Sequence, residues 1–167
     1  GRLRDAAALA WVDISTGEFH VLALPPVRLG PELARLMPSE LVVSENHDAD
    51  LAEIVSESGA AMTPLSRASF DSSAAEKRLC DLFQVSSLDA YGQFTRAEMS
   101  VMGALVDYLE ITQKGKLPLL QKPQREAQAR VMQIDAATRR NLELTQSMTG
   151  ARAGSLLAAI DRSVTAA

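Results

Sequence analysis

The chain has 167 residues, 47% of them hydrophobic and 23% charged, with a formal net charge of -4. That length buries a core for one ordinary domain, or for one domain plus a fragment. No apolar run approaches the roughly 20 residues a bilayer requires, and the opening GRLRDAAALAW lacks the long apolar segment of a signal peptide. The single cysteine, Cys80, excludes an internal disulfide, so a reducing cytoplasm is the expected location. The charge is uneven: residues 1–113 carry a net -9 and residues 114–167 a net +5, which marks a seam near Gln113.

In chain order, ALAWVDISTGEFHVLAL reads as a β-hairpin. Apolar Ala8 to Ile14 lead to a Ser15-Thr16-Gly17 turn, and Phe19, Val21 and Ala23 then alternate with Glu18 and His20. Gly17 takes positive φ without a Cβ penalty, and Asp13 or Ser15 can bond the turn backbone. Pro25-Pro26 stops the second strand. A short helix over about Pro31 to Leu36, closed by Pro38, precedes a strand at Leu41 to Ser44. A further helix spans about Asp50 to Ser58 with Gly59 as its stop, and Ala61 to Leu65 reads as an edge strand because Pro64 cannot serve a central ladder.

FDSSAAEKRLCDLF starts a helix capped by Asp71 or Ser72, with Ser73 and Glu76 also spaced as a capping box. Cys80 falls among its apolar positions and is expected to be a buried, inert thiol. Thr95 and Glu98 form a T-x-x-E capping box, and Val101, Met102, Leu105, Tyr108 and Leu109 make the stripe of a helix ending near Gln113. KGKLPLLQKPQ reads as an extended connection and VMQIDA as a short extended approach to Asp135, the expected N-cap of a helix through DAATRRNLELTQ. Ala137, Leu142, Leu144 and Met148 should form that helix's apolar surface, while the adjacent Arg139 and Arg140 point about 100° apart. After Gly150, ARAGSLLAAIDR is a further short helix. The order predicts a small α/β domain followed by helices whose apolar faces exceed the partners left to cover them, as in a cut chain.

The chemistry is sparse. Asp13, Glu45, Asp71 and Asp89 could be proposed as the carboxylates of a two-metal nuclease, but Asp13 has a local task at a turn, Glu45 follows a strand into a loop, and Asp71 is a natural helix cap. His20 and His47 are too far apart in sequence to suggest a metal pair, and TGARAGS lacks the spacing and lysine of a phosphate-binding loop. Lys114, Lys116, Lys122, Arg125, Arg130, Arg139, Arg140, Arg152 and Arg162 could draw a nucleic-acid backbone, though no aromatic residue after Tyr108 is available for stacking.

WVDISTGEF (11–19), PSELVVSE (38–45), GALVDYLEITQKGKLPLLQKP (103–123) and MQIDAATRRNLELTQSMTGARAGSLLAAIDRSVTA (132–166) resemble, in order, segments of the MutS family of mismatch-repair proteins. Asp13, Gly17, Asp135, Arg139, Arg140 and Asn141 are the family-motif positions, with structural rather than catalytic roles. The resemblance implies a ribonuclease-H-like connector, a mixed sheet with flanking helices and no nuclease function, at residues 1–94. A linking helix and extended connection come next at 95–123, and an all-helical start of the core/lever region at 124–167. It implies a non-catalytic segment that couples mismatched-DNA binding to an ATPase and offers a docking surface for MutL. The remaining MutS domains and a second MutS subunit would be further partners. ATP and magnesium would belong to the longer protein, with no cofactor bound by this chain, in a bacterial cytoplasm and on the nucleoid when on DNA. None of the four phenylalanines is followed two residues later by glutamate, so the family's mismatch-reading motif is not in this sequence. A metal-dependent nuclease and a DNA-backbone binding module are the alternatives.

Overall fold

The computed structural model describes residues 2–3, 6–47, 49–113, 118–126, 134 and 136–161. The hairpin forms as its turn chemistry requires. β2 (Ala6–Val12) and β3 (Phe19–Leu24) pair antiparallel with Val12 opposite Phe19, after a short β1 (Arg2–Leu3) that pairs with the start of β2. Pro25 ends β3, and a single 3-10 turn leads into α1 (Leu29–Leu36), which starts earlier than the prolines suggest and closes on Met37 in the left-handed region. β4 (Glu40–Ser44), α2 (Ala49–Ser58) and β5 (Ala61–Leu65) come next, with β4 and β5 parallel. Ala61 N–H donates to Ser39 O at 3.1 Å and Glu45 N–H to Leu65 O at 2.8 Å, so the amides of Ala61, Thr63 and Leu65 serve the ladder and Pro64 falls where none is needed.

α3 (Ser72–Phe83) is capped by Asp71, not by the alternative box at Ser73, and α4 (Arg96–Thr112) has the predicted Thr95–Glu98 box with both of its hydrogen bonds. A cap of this kind stabilises a helix by about 1 kcal/mol. No pattern in the residues announces β6 (Gln124–Arg125), which pairs parallel with β3. Among the described residues the strands form two sheets, a mixed one ordered β1-β2-β3-β6 and a two-stranded one of β4 and β5.

The hairpin is covered on both faces. Ala10, Val12, Phe19 and Val21 pack against Leu79 of α3 and Val101, Met102 and Val106 of α4. Leu9, Trp11, Leu22 and Leu24 pack against Leu29 and Leu33 of α1 and Leu51 and Ile54 of α2. Simple alternation therefore fails for β3, where Leu22 and Leu24 are as buried as Phe19 and Val21. Burying each such side chain stabilises the fold by roughly 1.5–3 kcal/mol. α4 touches β2, β3 and β4, so it underlies both sheets.

The helix expected through DAATRRNLELTQ is shorter than its spacing implies. α5 (Ala136–Asn141) ends where Glu143 takes φ +48°, with Leu144 N–H donating to Arg139 O and Glu143 N–H to Arg140 O, a Schellman closure. The Glu143 carboxylate then accepts from Met148 N–H at 2.6 Å and fixes the adjoining turn. Six residues cannot carry an apolar stripe, so Ala137, Leu142 and Met148 are exposed and only Leu144 is half-buried. The capping role expected of Asp135 lies outside the described residues, as does most of VMQIDA. α6 (Leu156–Ile160) is capped by Ser155.

Candidate functional site

The carboxylates that could have formed a nuclease centre are each held locally. Asp13 Oδ1 accepts from Ser15 N–H at 2.8 Å and Ser15 Oγ–H at 2.5 Å, and these bonds, the hydroxyl's first, lower its pKa from the ordinary aspartate value. Asp71 caps α3 through Ser73 and Ala74 N–H, Glu45 accepts from Arg67 N–H at 3.2 Å, and Asp89 accepts from the Ser87 hydroxyl at 2.7 Å. Among the described residues no three His, Cys, Asp or Glu side chains come together to hold a metal ion. His20 stacks on Trp11 with ring centroids 5.4 Å apart, and His47 Nδ1 lies 2.9 Å from Ser44 O. Cys80 is half-buried, not fully buried as expected; burial, then the charges of Glu76, Asp81 and Asp89, push its thiol pKa up, away from a nucleophilic thiolate.

The functional geometry gathers around β6. Glu98 has no solvent exposure, yet it is ionisable. One of its carboxylate oxygens accepts from Thr95 N–H at 2.7 Å to complete the α4 cap, and Arg125 grips both oxygens, Nε to Oε1 at 2.8 Å and a terminal nitrogen to Oε2 at 2.7 Å. Arg125 also donates to Gln93 O and lies over the Phe94 ring at 5.2 Å. The fork of a guanidinium matches a carboxylate in this two-bond geometry, which fixes orientation as well as charge.

The next residue does the corresponding thing on the other side. Glu126 accepts from Arg35 of α1 at 2.9 Å, and Arg35 also binds the buried Glu32 at 2.7 Å, with Arg28 3.4 Å from Glu32. Burial works against the Arg35 charge, but the hydrogen bonds and charges of Glu32 and Glu126 outweigh it and raise its pKa above the ordinary arginine value. Two adjacent residues therefore clip α4 and α1. Just upstream, Gln121 N–H donates to Gly17 O at 2.8 Å and its side chain to Thr16 O at 3.1 Å. Gly17 has φ +74°, and a Cβ there would lie 2.1 Å from Leu119 O, so glycine is required both by the turn and by this close approach.

Residues 3–121 match the family model described as MutS domain II. The chain belongs to the MutS family. It is 64% identical over 166 residues to the DNA mismatch repair protein MutS of Roseobacter denitrificans, covering 99% of this chain and 19% of that protein. The MutS of a Ruegeria species is 65% identical over 165 residues, and that of Paracoccus denitrificans 64% over 164, each covering 98% of this chain and 19% and 18% of those proteins. The chain thus spans about a fifth of the length of the curated MutS relatives it matches. Among the described residues no helix is long and apolar enough to cross a membrane.

The MutS-motif arginines do not converge. Arg139 is half-buried where α5 meets α1, its Nε buried without a hydrogen-bond partner among the described residues, while Arg140 and Asn141 are exposed. Of the other basic residues considered for nucleic acid, Arg125 is committed to Glu98 and Arg152 to Asp161 at 2.7 Å; Lys122 is exposed, and Lys114, Lys116, Arg130 and Arg162 lie outside the described residues. The clip at Arg125 and Glu126 was missed from sequence. Its only trace there was the change in charge sign near Gln113, across which both pairs reach.

Proposed function

We propose that the chain is the connector, with the start of the core/lever region, of a MutS mismatch-repair protein, and that it works as a mechanical coupling without chemistry of its own. In that reading residues 1–94 form the connector, 95–123 the linking helix and extended connection, and 124–167 the beginning of the helical core. A ribonuclease-H-like connector is supported by an antiparallel hairpin, a helical crossover to a parallel strand pair, and helices on both faces of the hairpin. The longer protein would bind mismatched DNA, hydrolyse ATP with magnesium in another domain, pair with a second MutS subunit and receive MutL on the connector, in the cytoplasm and on the nucleoid.

The observation that carries the reading is the clip. The chain leaving domain II is bonded through Arg125 to α4 and through Glu126 to α1, so displacement of the downstream segment loads both helix layers together. In the full-length protein, Arg125→Ala with Glu126→Ala should leave mismatched-DNA affinity and basal ATP turnover near wild type while abolishing the change in turnover that a mismatch induces. Full retention of that change would refute the coupling role. A MutL cross-linking footprint confined to residues after 114 would separately remove the docking role.

A further inference from the structure

The segment that carries the clip runs beside β3 one residue out of step. Gln121 N–H donates to Gly17 O at 2.8 Å, and Glu126 N–H donates to Val21 O at 2.9 Å. The two acceptors, Gly17 and Val21, are four residues apart, while the two donors, Gln121 and Glu126, are five apart. A parallel ladder advances equally on its two strands, with every second residue donating. Residues 121–126 therefore contain one residue too many, a bulge in an otherwise parallel pairing.

The residue types show where the bulge sits and why. Two residues on from Gln121, the next donor of a regular ladder is residue 123, and its acceptor would be Phe19 O. Residue 123 is proline, which has no N–H to give. Pairing resumes one residue later, with Gln124 opposite His20 and Arg125 opposite Val21, a register that turns the Gln124 N–H toward the Phe19 carbonyl instead. The extra residue is taken up at Lys122 and Pro123, of which Lys122 is exposed and Pro123 buried. Bulges are among the few places in a sheet where proline fits.

This step decides the facing of the clip. Side chains alternate along an extended chain, so a slip of one residue turns each to the opposite face. In the observed register Arg125 meets Glu98 on α4 and Glu126 meets Arg35 on α1. Without the bulge, Gln124 would take the place that faces Glu98 and Arg125 the place that faces Arg35. The buried Glu98 carboxylate would then lose its guanidinium, and two guanidinium groups would meet at α1. We propose that Pro123 is the positioning residue of the clip. By withholding a donor it excludes the unbulged register and directs Arg125 to α4 and Glu126 to α1, a role that rests on the coupling proposed for this joint.

Moving the charges one residue upstream separates the proline's role from the charges' own preference. In the full-length protein, Gln124→Arg with Arg125→Glu sets a carboxylate against Glu98 while Pro123 is present. Hydrogen exchange in the peptides covering residues 93–102 and 118–126 should quicken by at least about 10-fold. Adding Pro123→Ala lets the strand drop its bulge, so the new arginine reaches Glu98 and the new glutamate reaches Arg35. Exchange should then return to within about 3-fold of wild type. Pro123→Ala alone should have a far smaller effect than the shifted pair, because the native charges still hold the native register. Deleting Lys122 beside the native pair removes the extra residue while every donor keeps its acceptor, and exchange should stay near wild type. Fast exchange in that deletion, wild-type exchange in the shifted pair with Pro123 intact, or no slowing of the shifted pair by Pro123→Ala overturns the proposal. Where the shifted pair yields no folded protein, recovery of folded protein on adding Pro123→Ala supports the proposal and no recovery overturns it. The change in ATP turnover that a mismatch induces is read on the same variants. Rescue of exchange without rescue of that change refutes the coupling role and leaves the register assignment standing.

Discussion

Removing Arg125 tests the clip where its energetics are sharpest. Glu98 has a side-chain exposure of 1% against 41% for Arg125, so Arg125→Ala leaves a buried carboxylate with Thr95 N–H as its remaining donor. Breaking a fully buried pair from one side costs roughly 3–5 kcal/mol, but water reaches the Arg125 end and can partly replace it, which lowers the expectation to about 2–3 kcal/mol. Glu98→Gln keeps an acceptor for the Thr95 amide and removes the charge, and it should cost about 1–2 kcal/mol. Urea unfolding of the wild type, both single variants and the double variant closes a thermodynamic cycle. Because each single change removes the same interaction, the double variant should lose about 1–2 kcal/mol less than the sum of the singles. Arg125→Lys should fall between wild type and alanine, since a single ammonium cannot make the two-bond fork. A coupling energy indistinguishable from zero, or a cost below about 0.5 kcal/mol for Arg125→Ala, would refute the view that this pair fastens β6 to α4.

Gly103→Ala should destabilise by about 2 kcal/mol or more although alanine favours helices, because its Cβ would lie 2.2 Å from Ala75 Cβ and 2.7 Å from Ala75 Cα where α3 crosses α4. Thermal melts should show the loss, and Ala75→Gly in the same chain should recover part of it. Hydrogen bonds from Thr63 and then Tyr108 lower the Glu40 pKa below its ordinary value, so this contribution to stability is present above the unfolded-state pKa and is lost as pH falls through the folded-state value. Tyr108→Phe should therefore narrow the stability difference between about pH 6 and about pH 3, and an unchanged acid limb in urea titrations would count against the Tyr108–Glu40 bond.

What was legible from the residues was what short stretches determine. The Asp13 turn, the Gly59 stop and the Thr95–Glu98 box each need only neighbours within a few residues, and all three form. β3 was half legible: its second buried face depends on α1 and α2 arriving from later in the chain, which strand alternation does not encode. β6 was illegible because its two residues have no pattern of their own and exist only through pairing with β3. The opposite error occurred at α5, where an apolar spacing suggested a longer helix and the Glu143 closure ends it after six residues. Of the candidate positions, Gly17 had a turn reason visible in sequence and a second, the approach of Leu119 O, that only the fold supplies.

The clip is a consequence of strand geometry. Successive residues of an extended chain point to opposite sides, so any strand in the middle layer of an α/β/α arrangement can reach one helix layer with one residue and the other with the next. Arg125 and Glu126 use this with opposite charges, so each needs a different partner: a carboxylate on α4 and a guanidinium on α1. Swapping the two would place like charges at both contacts, which makes the connection specific for one register and one facing. The two halves differ in exposure, with Glu98 at 1% and Glu126 at 33% of their side-chain surface. Added salt therefore weakens the α1 contact before the α4 contact. A segment held this way stays anchored to α4 when the α1 contact loosens, which suits a joint that must yield on one side without detaching.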